Sequence, residues 1–347
     1  MQETLRVGVV GCGYWGSKHV RVLSSLPDVD VILIDKDQAR RDSIELTYPV
    51  AGSFESLEAA VEAVDAVIIA SPPSTHYEIA RQALESKLHL LVEKPMTTSV
   101  EHAIELIQLA EQVDRRLMVG HTFEFNAGVW GLAEAIRAPE FGKVRYINSA
   151  RLNLGLYQAD TNVIWDLAPH DISILNYILD SRPTSISAWG LNLMSAQSDV
   201  AYLSLRYDDI DVSACIHVSW LDPMKVRRTT VVGEHSMAVY DDVATEDRLR
   251  IYDKGVTAGA TTQNDAGHPL SYRNGSIVSP FIDFKEPLQL ELSAFVDSIR
   301  SGVNPPVDGR NGLDVVATLT AAEESLLNGG EWVKVAAPTE LLEGAVS

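Results

Sequence analysis

The sequence is poor in cysteine, in positive charge and in long apolar runs. Its 347 residues include two cysteines, Cys12 and Cys215, in unrelated segments. That excludes a disulfide framework and a cysteine-based metal cluster, and it suits a reducing cytoplasm. No stretch reaches the roughly 18 apolar residues that a membrane span requires. Met1-Gln2-Glu3-Thr4 leads straight into an apolar strand, without the basic start and apolar core of a secretory signal. Basic side chains number 28 against 48 acidic ones, a net charge of −20. A field of that sign excludes the basic footprint of a nucleic-acid binder. It attracts cationic ligands from a distance and obliges an anionic one to find a local basic patch, although solubility alone also accounts for it. No His, Asp and Glu spacing suggests a metal site. The expectation is a cytoplasmic protein without metal, nucleic acid or membrane partner.

What is present reads as an ordinary globular chain, 46% hydrophobic and 22% charged. Its length exceeds what one core usually spans, so two domains are expected. Val7-Gly8-Val9-Val10 runs directly into Gly11-x-Gly13-x-x-Gly16, and a helix-compatible segment follows from Ser17 to Leu26. In a dinucleotide fold Gly11 makes the tight turn, Gly13 admits the pyrophosphate and Gly16 lets helix meet strand. The pyrophosphate then rests on the positive end of the first helix, beside Tyr14 and Trp15. A second apolar strand, Val31 to Ile34, ends in Asp35, about 20 residues after the last glycine, where a ribose-binding acid is expected. A carboxylate there accepts from both ribose hydroxyls and repels a 2′-phosphate, favouring NAD over NADP, an effect Lys36 partly offsets.

Further along, strands and helices alternate. A helix runs from Gln38 to Leu46, and another opens over Gly52 to Leu57 with Ser56 as its N-cap. Val64 to Ala70 reads as a buried parallel strand ending in the loop Ser71-Pro72-Pro73-Ser74-Thr75-His76. Then come a helix (Tyr77 to Ser86), a strand (Leu88 to Val92) ending in Glu93-Lys94-Pro95, a helix (Ser99 to Gln112) and the strand Leu117 to Gly120. This is the rhythm of βαβ units. It predicts an α/β protein whose N-terminal domain, residues 1–122, is a doubly wound parallel Rossmann sheet. Residues 123–347 change pattern: helices over Ala127 to Ala138 and Trp165 to Leu179, with long alternating strands from Val144 to Asn153 and between Ser185 and Tyr252. They predict an α+β substrate domain with a large, mostly antiparallel open sheet. Two last helices, Leu288 to Arg300 and Leu313 to Leu327, return to the first domain, and Val256 to Ser276 reads as a loose loop rich in Gly, Thr and Asn. A sheet that large leaves a face to cover, which predicts a homodimer or homotetramer.

Together, Gly11 to Gly16, Ser71-Pro72-Pro73 with His76, Glu93-Lys94-Pro95 and Asp166-x-x-x-His170 resemble the Gfo/Idh/MocA oxidoreductases over nearly the whole chain. The resemblance implies hydride transfer between NAD(P) and a sugar, polyol or related carbonyl, with Lys94, Asp166 and His170 as the catalytic set. Residue chemistry agrees. Oxidising a secondary alcohol needs a base for the hydroxyl proton. Asp166 and His170, four apart on a helix, share one face, and imidazole has its pKa near working pH. Lys94 ends a parallel strand at the ligand edge, where its ammonium stabilises alkoxide character. Plainer roles stay open: Lys94 as a surface lysine, His170 satisfied by backbone, Asp166 as a helix-dipole acid. His76 is expected to line the cofactor edge with Ser71, Pro72, Pro73 and Glu93, and His121 to approach the nicotinamide.

Around the catalytic helix, Arg151, Asn153, Tyr157, Asn162 and Trp165 are candidate sugar contacts, with Glu124 and Asn126 further upstream. Glu124 stands where many relatives carry an arginine, which removes an anion site. The run from Asn153 to Asp171 is similar to sugar-nucleotide 3-dehydrogenases and to enzymes of antibiotic amino-sugar assembly. That implies a pyranose ring carbon, C3 above others, on a nucleotide sugar or a cationic aminoglycoside. For a diphosphate, Arg151 and Arg273 are the candidate cations. A polyol or inositol dehydrogenase, an enzyme recycling its own bound NAD(H) and a non-catalytic NAD-sensing regulator are the alternatives.

Overall fold

The structure is a computed structural model that describes residues 4–155, 161–194, 196–258, 270–337 and 342. In chain order the first elements are β1 (Leu5–Val10), α1 (Tyr14–Leu23), β2 (Val29–Ile34), α2 (Gln38–Glu45), β3 (Gly52–Phe54), α3 (Leu57–Ala60), β4 (Ala66–Ile69), α4 (His76–Glu85), β5 (His89–Glu93), α5 (Val100–Gln112) and β6 (Leu117–Gly120). Then follow α6 (Ala127–Arg137), β7 (Val144–Leu154), α7 (Val163–Leu179), β8 (Ser185–Leu191), β9 (Val200–Tyr207), β10 (Val212–Ser219), β11 (Leu221–Gly233), β12 (Met237–Asp241), β13 (Leu249–Ala258) and β14 (Leu270–Val278). The chain closes with α8 (Pro287–Ser301), α9 (Gly309–Leu327) and β15 (Val333–Lys334). Two compact units result: Met1–Phe125 with Lys285–Thr320 and Ala336–Ser347, and Asn126–Phe284 with Ala321–Val335.

In the first unit six parallel strands lie in the order β3-β2-β1-β4-β5-β6. Unbroken apolar runs such as Ala66-Val67-Ile68-Ile69 are fully buried, as a sheet covered on both faces demands. Short polar side chains start the helices: Asp37 accepts from the Ala39 and Arg40 amides, Ser56 from Ala59 and Ser99 from His102. Leu288, Leu292, Phe295 and Val296 of α8 join the same core as Val20 and Leu23 of α1. Strand order reverses between β1 and β4, so the crevice at their carboxyl ends is where such a sheet binds ligands.

Among the described residues the second unit is built on nine strands in the order β14-β13-β12-β11-β7-β10-β9-β8-β15. All neighbours are antiparallel except β7 and β10. Alternation along β9 buries Leu203, Leu205 and Tyr207 and exposes Tyr202 and Arg206 on the opposite face. α7 lies against β7, β9 and β10, and α6 against β12 and β13. On the other face Tyr202 stacks on His217, 4.1 Å between ring centroids, with Trp189 beside it.

Two local expectations need correction, and one strand is not anticipated. Gly52 to Phe54 is a strand, not a helix start, because its backbone pairs with Ile32 to Ile34. Both ends of the supposed loose loop, Val256 to Ala258 and Leu270 to Ser276, are strand, held by the pairing of β13 with β14. The two-residue strand β15, which extends the sheet beyond β8, has no sequence signal.

Candidate active site

At the glycine loop, Gly11 has φ +93°, and a Cβ there would come within 2.8 Å of the Ala70 carbonyl oxygen. A Cβ on Gly16 would run into the Gly11 carbonyl. Gly13 differs: nothing lies within 4 Å of its Cβ position. No side chain caps α1, and its first turn holds no acid. Open space in front of an uncapped helix start is what a pyrophosphate needs. Tyr14 and Trp15 are exposed there, with the Lys18 ammonium 4.6 Å from the Tyr14 ring centre. Asp35 sits at the end of β2, its Oδ2 accepting from the Cys12 amide (2.7 Å) and its Oδ1 from Asp37 (2.8 Å). Lys36 is exposed. Arg40 lies 3.9 Å from the Asp35 carboxylate and Arg41 donates to the Asp35 carbonyl, so two guanidiniums the sequence reading missed border the ribose site. Burial, then the Asp35 charge, push the Cys12 thiol up to about 11. The arrangement fits a dinucleotide.

Lys94 follows β5 directly, and its bond to Pro95 is cis. Glu93 is buried: its Oε1 meets His19 Nε2 at 2.8 Å, and its Oε2 accepts the Lys94 amide at 3.2 Å. Burial raises the Glu93 pKa, but the His19 bond and the charges of His19 and Lys94 more than reverse this. His76, expected to line the cofactor edge, is fully buried, with Nδ1 2.9 Å from the Pro95 carbonyl and Nε2 2.9 Å from that of Ser71. It ties the Ser71-Pro72-Pro73 loop to the segment carrying Lys94. His121 is also buried, neither ring nitrogen has a hydrogen-bond partner, and burial pushes its pKa down to about 4. Two more carboxyls lie inside this unit. Burial, then the Asp314 charge, push Glu124 up to about 8. Burial and the Glu93 charge hold Glu291 of α8 well above the usual range, while Thr122 donates to it at 3.0 Å. Glu124 therefore stays largely protonated near neutrality and is no standing anion.

In the second unit, α7 begins at Val163 because the Asn162 side chain accepts from the Ile164 and Trp165 amides. Asn162 is thus a cap. The Trp165 indole donates to Glu323 at 3.0 Å. Asp166 and His170 stand one turn apart on α7, and the buried Trp220 donates to Asp166 Oδ2 at 2.9 Å. Trp220 joins the candidate site with no sequence signal, since only the fold brings the end of β10 to α7. Arg151 is 5% exposed and donates to Asp171 at 2.6 Å, while Ser149 binds the other Asp171 oxygen. Arg273 lies on β14 and pairs with Asp253 at 3.1 Å. Since β13, β12 and β11 separate β14 from β7, about 19 Å at the usual strand spacing, Arg151 and Arg273 do not form one diphosphate site. Asn126 is buried, capping α6 through the Gly128 amide at 2.8 Å and donating to Asp242. Asn153 has a buried, unpartnered Oδ1. Tyr157 lies outside the described residues.

Comparison with known proteins identifies the family. Residues 5–121 match the oxidoreductase family with NAD-binding Rossmann fold, and residues 130–239 the GFO/IDH/MocA C-terminal domain. The chain is 25% identical over 299 residues to UDP-N-acetylglucosamine 3-dehydrogenase of Acidithiobacillus ferrooxidans, covering 85% of this chain and 92% of that protein. It is 29% identical over 193 residues to inositol 2-dehydrogenase of Corynebacterium glutamicum (54% and 57% covered). In structure it resembles GenD2 from gentamicin A biosynthesis, solved in complex with NAD, with TM-score 0.81 and 22% identity (97% and 98% covered). The chain belongs to the Gfo/Idh/MocA family of NAD-binding oxidoreductases.

Proposed function

We propose that the protein oxidises or reduces a ring position of a pyranose, C3 above others, with NAD as its cofactor. The observation that carries this reading is the Asp166 and His170 pair on one face of α7, with Asp166 anchored by Trp220. Gly11, Gly13, Gly16, Tyr14, Trp15 and Asp35 hold the dinucleotide; when bound, it exchanges hydride with the carbinol carbon. His170 takes the hydroxyl proton in oxidation and returns it in reduction. Lys94 places its ammonium against the reacting oxygen and stabilises the developing alkoxide. Asp166 orients the imidazole or a neighbouring substrate hydroxyl. The similarity to a UDP-N-acetylglucosamine 3-dehydrogenase supports a nucleotide sugar. A cationic amino sugar is the second reading, favoured by the −20 charge and the separation of Arg151 from Arg273. The chain acts as a homodimer or homotetramer through the open sheet face that carries Trp189 and Tyr202.

NADH formation is to be followed with UDP-N-acetylglucosamine and with an aminoglycoside. Lys94→Ala and His170→Ala should each lower turnover of the accepted substrate by about 100-fold or more. Turnover unchanged in both overturns the catalytic assignment. Affinity for an aminoglycoside that falls as salt rises supports the cationic reading, and a flat curve counts against it.

A further inference from the structure

Three of the 28 basic side chains, Arg115, Arg116 and Arg310, line one cleft of about 260 Å³ in the first unit. It lies at Leu117, the amino end of β6, opposite the carboxyl ends that face the dinucleotide crevice. The end of α5 forms one wall, with Ile107, Ala110 and Glu111. The segment leading into α9 forms the other, tied to β6 by the bridge of Asp308 to Met118 and by the Val119 amide on the Val307 carbonyl. Glu111, Asp114 and Asp308 balance the arginines, so the lining is neutral in a chain of net charge −20. Each of these acids is already bonded. Asp308 Oδ1 accepts the Arg310 and Asn311 amides that open α9, Glu111 Oε1 accepts Arg310 Nη2 at 2.9 Å, and Asp114 Oδ1 accepts Arg116 Nη1 at 3.4 Å.

Guanidinium donors are left over. Arg116 spends its Nη1 on Asn304 as well and its Nη2 on the Gly302 carbonyl, and Arg115 donates Nε to the Lys87 carbonyl and Nη1 to that of Asp114. Among the described residues, no acceptor meets Arg116 Nε, which is buried, nor Arg115 Nη2, nor Arg310 Nε and Nη1. A buried donor without a partner is costly, and most such groups in folded proteins are matched. The local field is positive as well. After burial, the charges of Arg115 and Arg116 do most to push His89 down to about 4, against the pull of Asp114 and Asp65. We propose that this cleft is an anion site whose ligand is a phosphate group, free or on a small ester. Planar guanidiniums pair with phosphate oxygens in bidentate fashion, through bonds stronger than those between neutral groups. A phosphate offers more acceptor oxygens than a carboxylate, which suits several idle N–H groups. The volume leaves room beyond the ion for a short organic tail.

Calorimetric titration of orthophosphate into the full chain saturated with NAD, at constant ionic strength, tests the site without any turnover. Phosphate should bind beyond the cofactor. Arg310→Met should weaken that binding by about 10-fold, and Arg115→Met with Arg310→Met by about 100-fold. Arg116 is left in place because it holds Gly302 and Asn304. Should the double variant not fold, Arg310→Met still decides, since that side chain is half exposed. Glycerol 3-phosphate separates the sources: tighter binding than orthophosphate assigns a phosphate ester, and equal or weaker binding assigns free phosphate. No binding of either overturns the proposal. So does an affinity unchanged in Arg310→Met, which would place the ion elsewhere, or acetate binding as tightly as orthophosphate.

Discussion

Replacing Glu124 with Gln should stabilise the protein, and increasingly so as pH rises. Glu124 is 9% exposed, and burial followed by the Asp314 charge raises its pKa from 4.5 to about 8. Below pH 4.5 the carboxyl is protonated in both folded and unfolded chains and costs nothing. Between the two values the unfolded chain releases the proton while the folded chain keeps it, so the folded state binds more protons and loses stability as pH rises. The loss reaches about 3 kcal/mol at pH 7 and levels off near 5 kcal/mol above the folded pKa, at roughly 1.4 kcal/mol per unit. Gln keeps the shape and cannot ionise. The assay is the difference in melting temperature between Glu124→Gln and the parent across a pH series. It should be near zero at about pH 4 and grow to several degrees by about pH 8. A difference that stays flat over that range refutes the reasoning.

Two further outcomes follow from the second unit. Asp171→Ala removes a buried partner of Arg151 and should lower stability by about 3 kcal/mol, read as a fall in the urea midpoint; an unchanged midpoint would show that the pair carries no weight. Sedimentation of the intact chain should show a dimer or tetramer that Trp189→Glu with Tyr202→Glu dissociates, and a monomeric parent would refute the role given to the open sheet face.

Legibility varied with the range of the interaction. The strands of the first unit are apolar runs, and polar caps such as Ser56 and Ser99 stand beside them in sequence, so both can be read directly. The glycine loop, Asp35, Lys94 and the Asp166 and His170 pair are likewise local patterns. β3 escapes because three residues are too few to show alternation, and β14 because its Gly and Asn mask a strand held by backbone pairing. Asn162 and Asn126 read as sugar contacts, yet each precedes a helical run and serves as its cap. His19 and Glu93, Trp220 and Asp166, and Thr122 and Glu291 are partners separated by 54 or more positions, a distance no spacing reveals.

The bond between the Cys12 amide and Asp35 joins the two ends of the proposed dinucleotide site into one mechanical piece. Attempts to retune cofactor preference at Asp35 would therefore slacken the loop proposed to cradle the phosphates. A redesign toward NADP would do better to keep that acid's acceptor oxygen and recruit Arg40 and Arg41 instead.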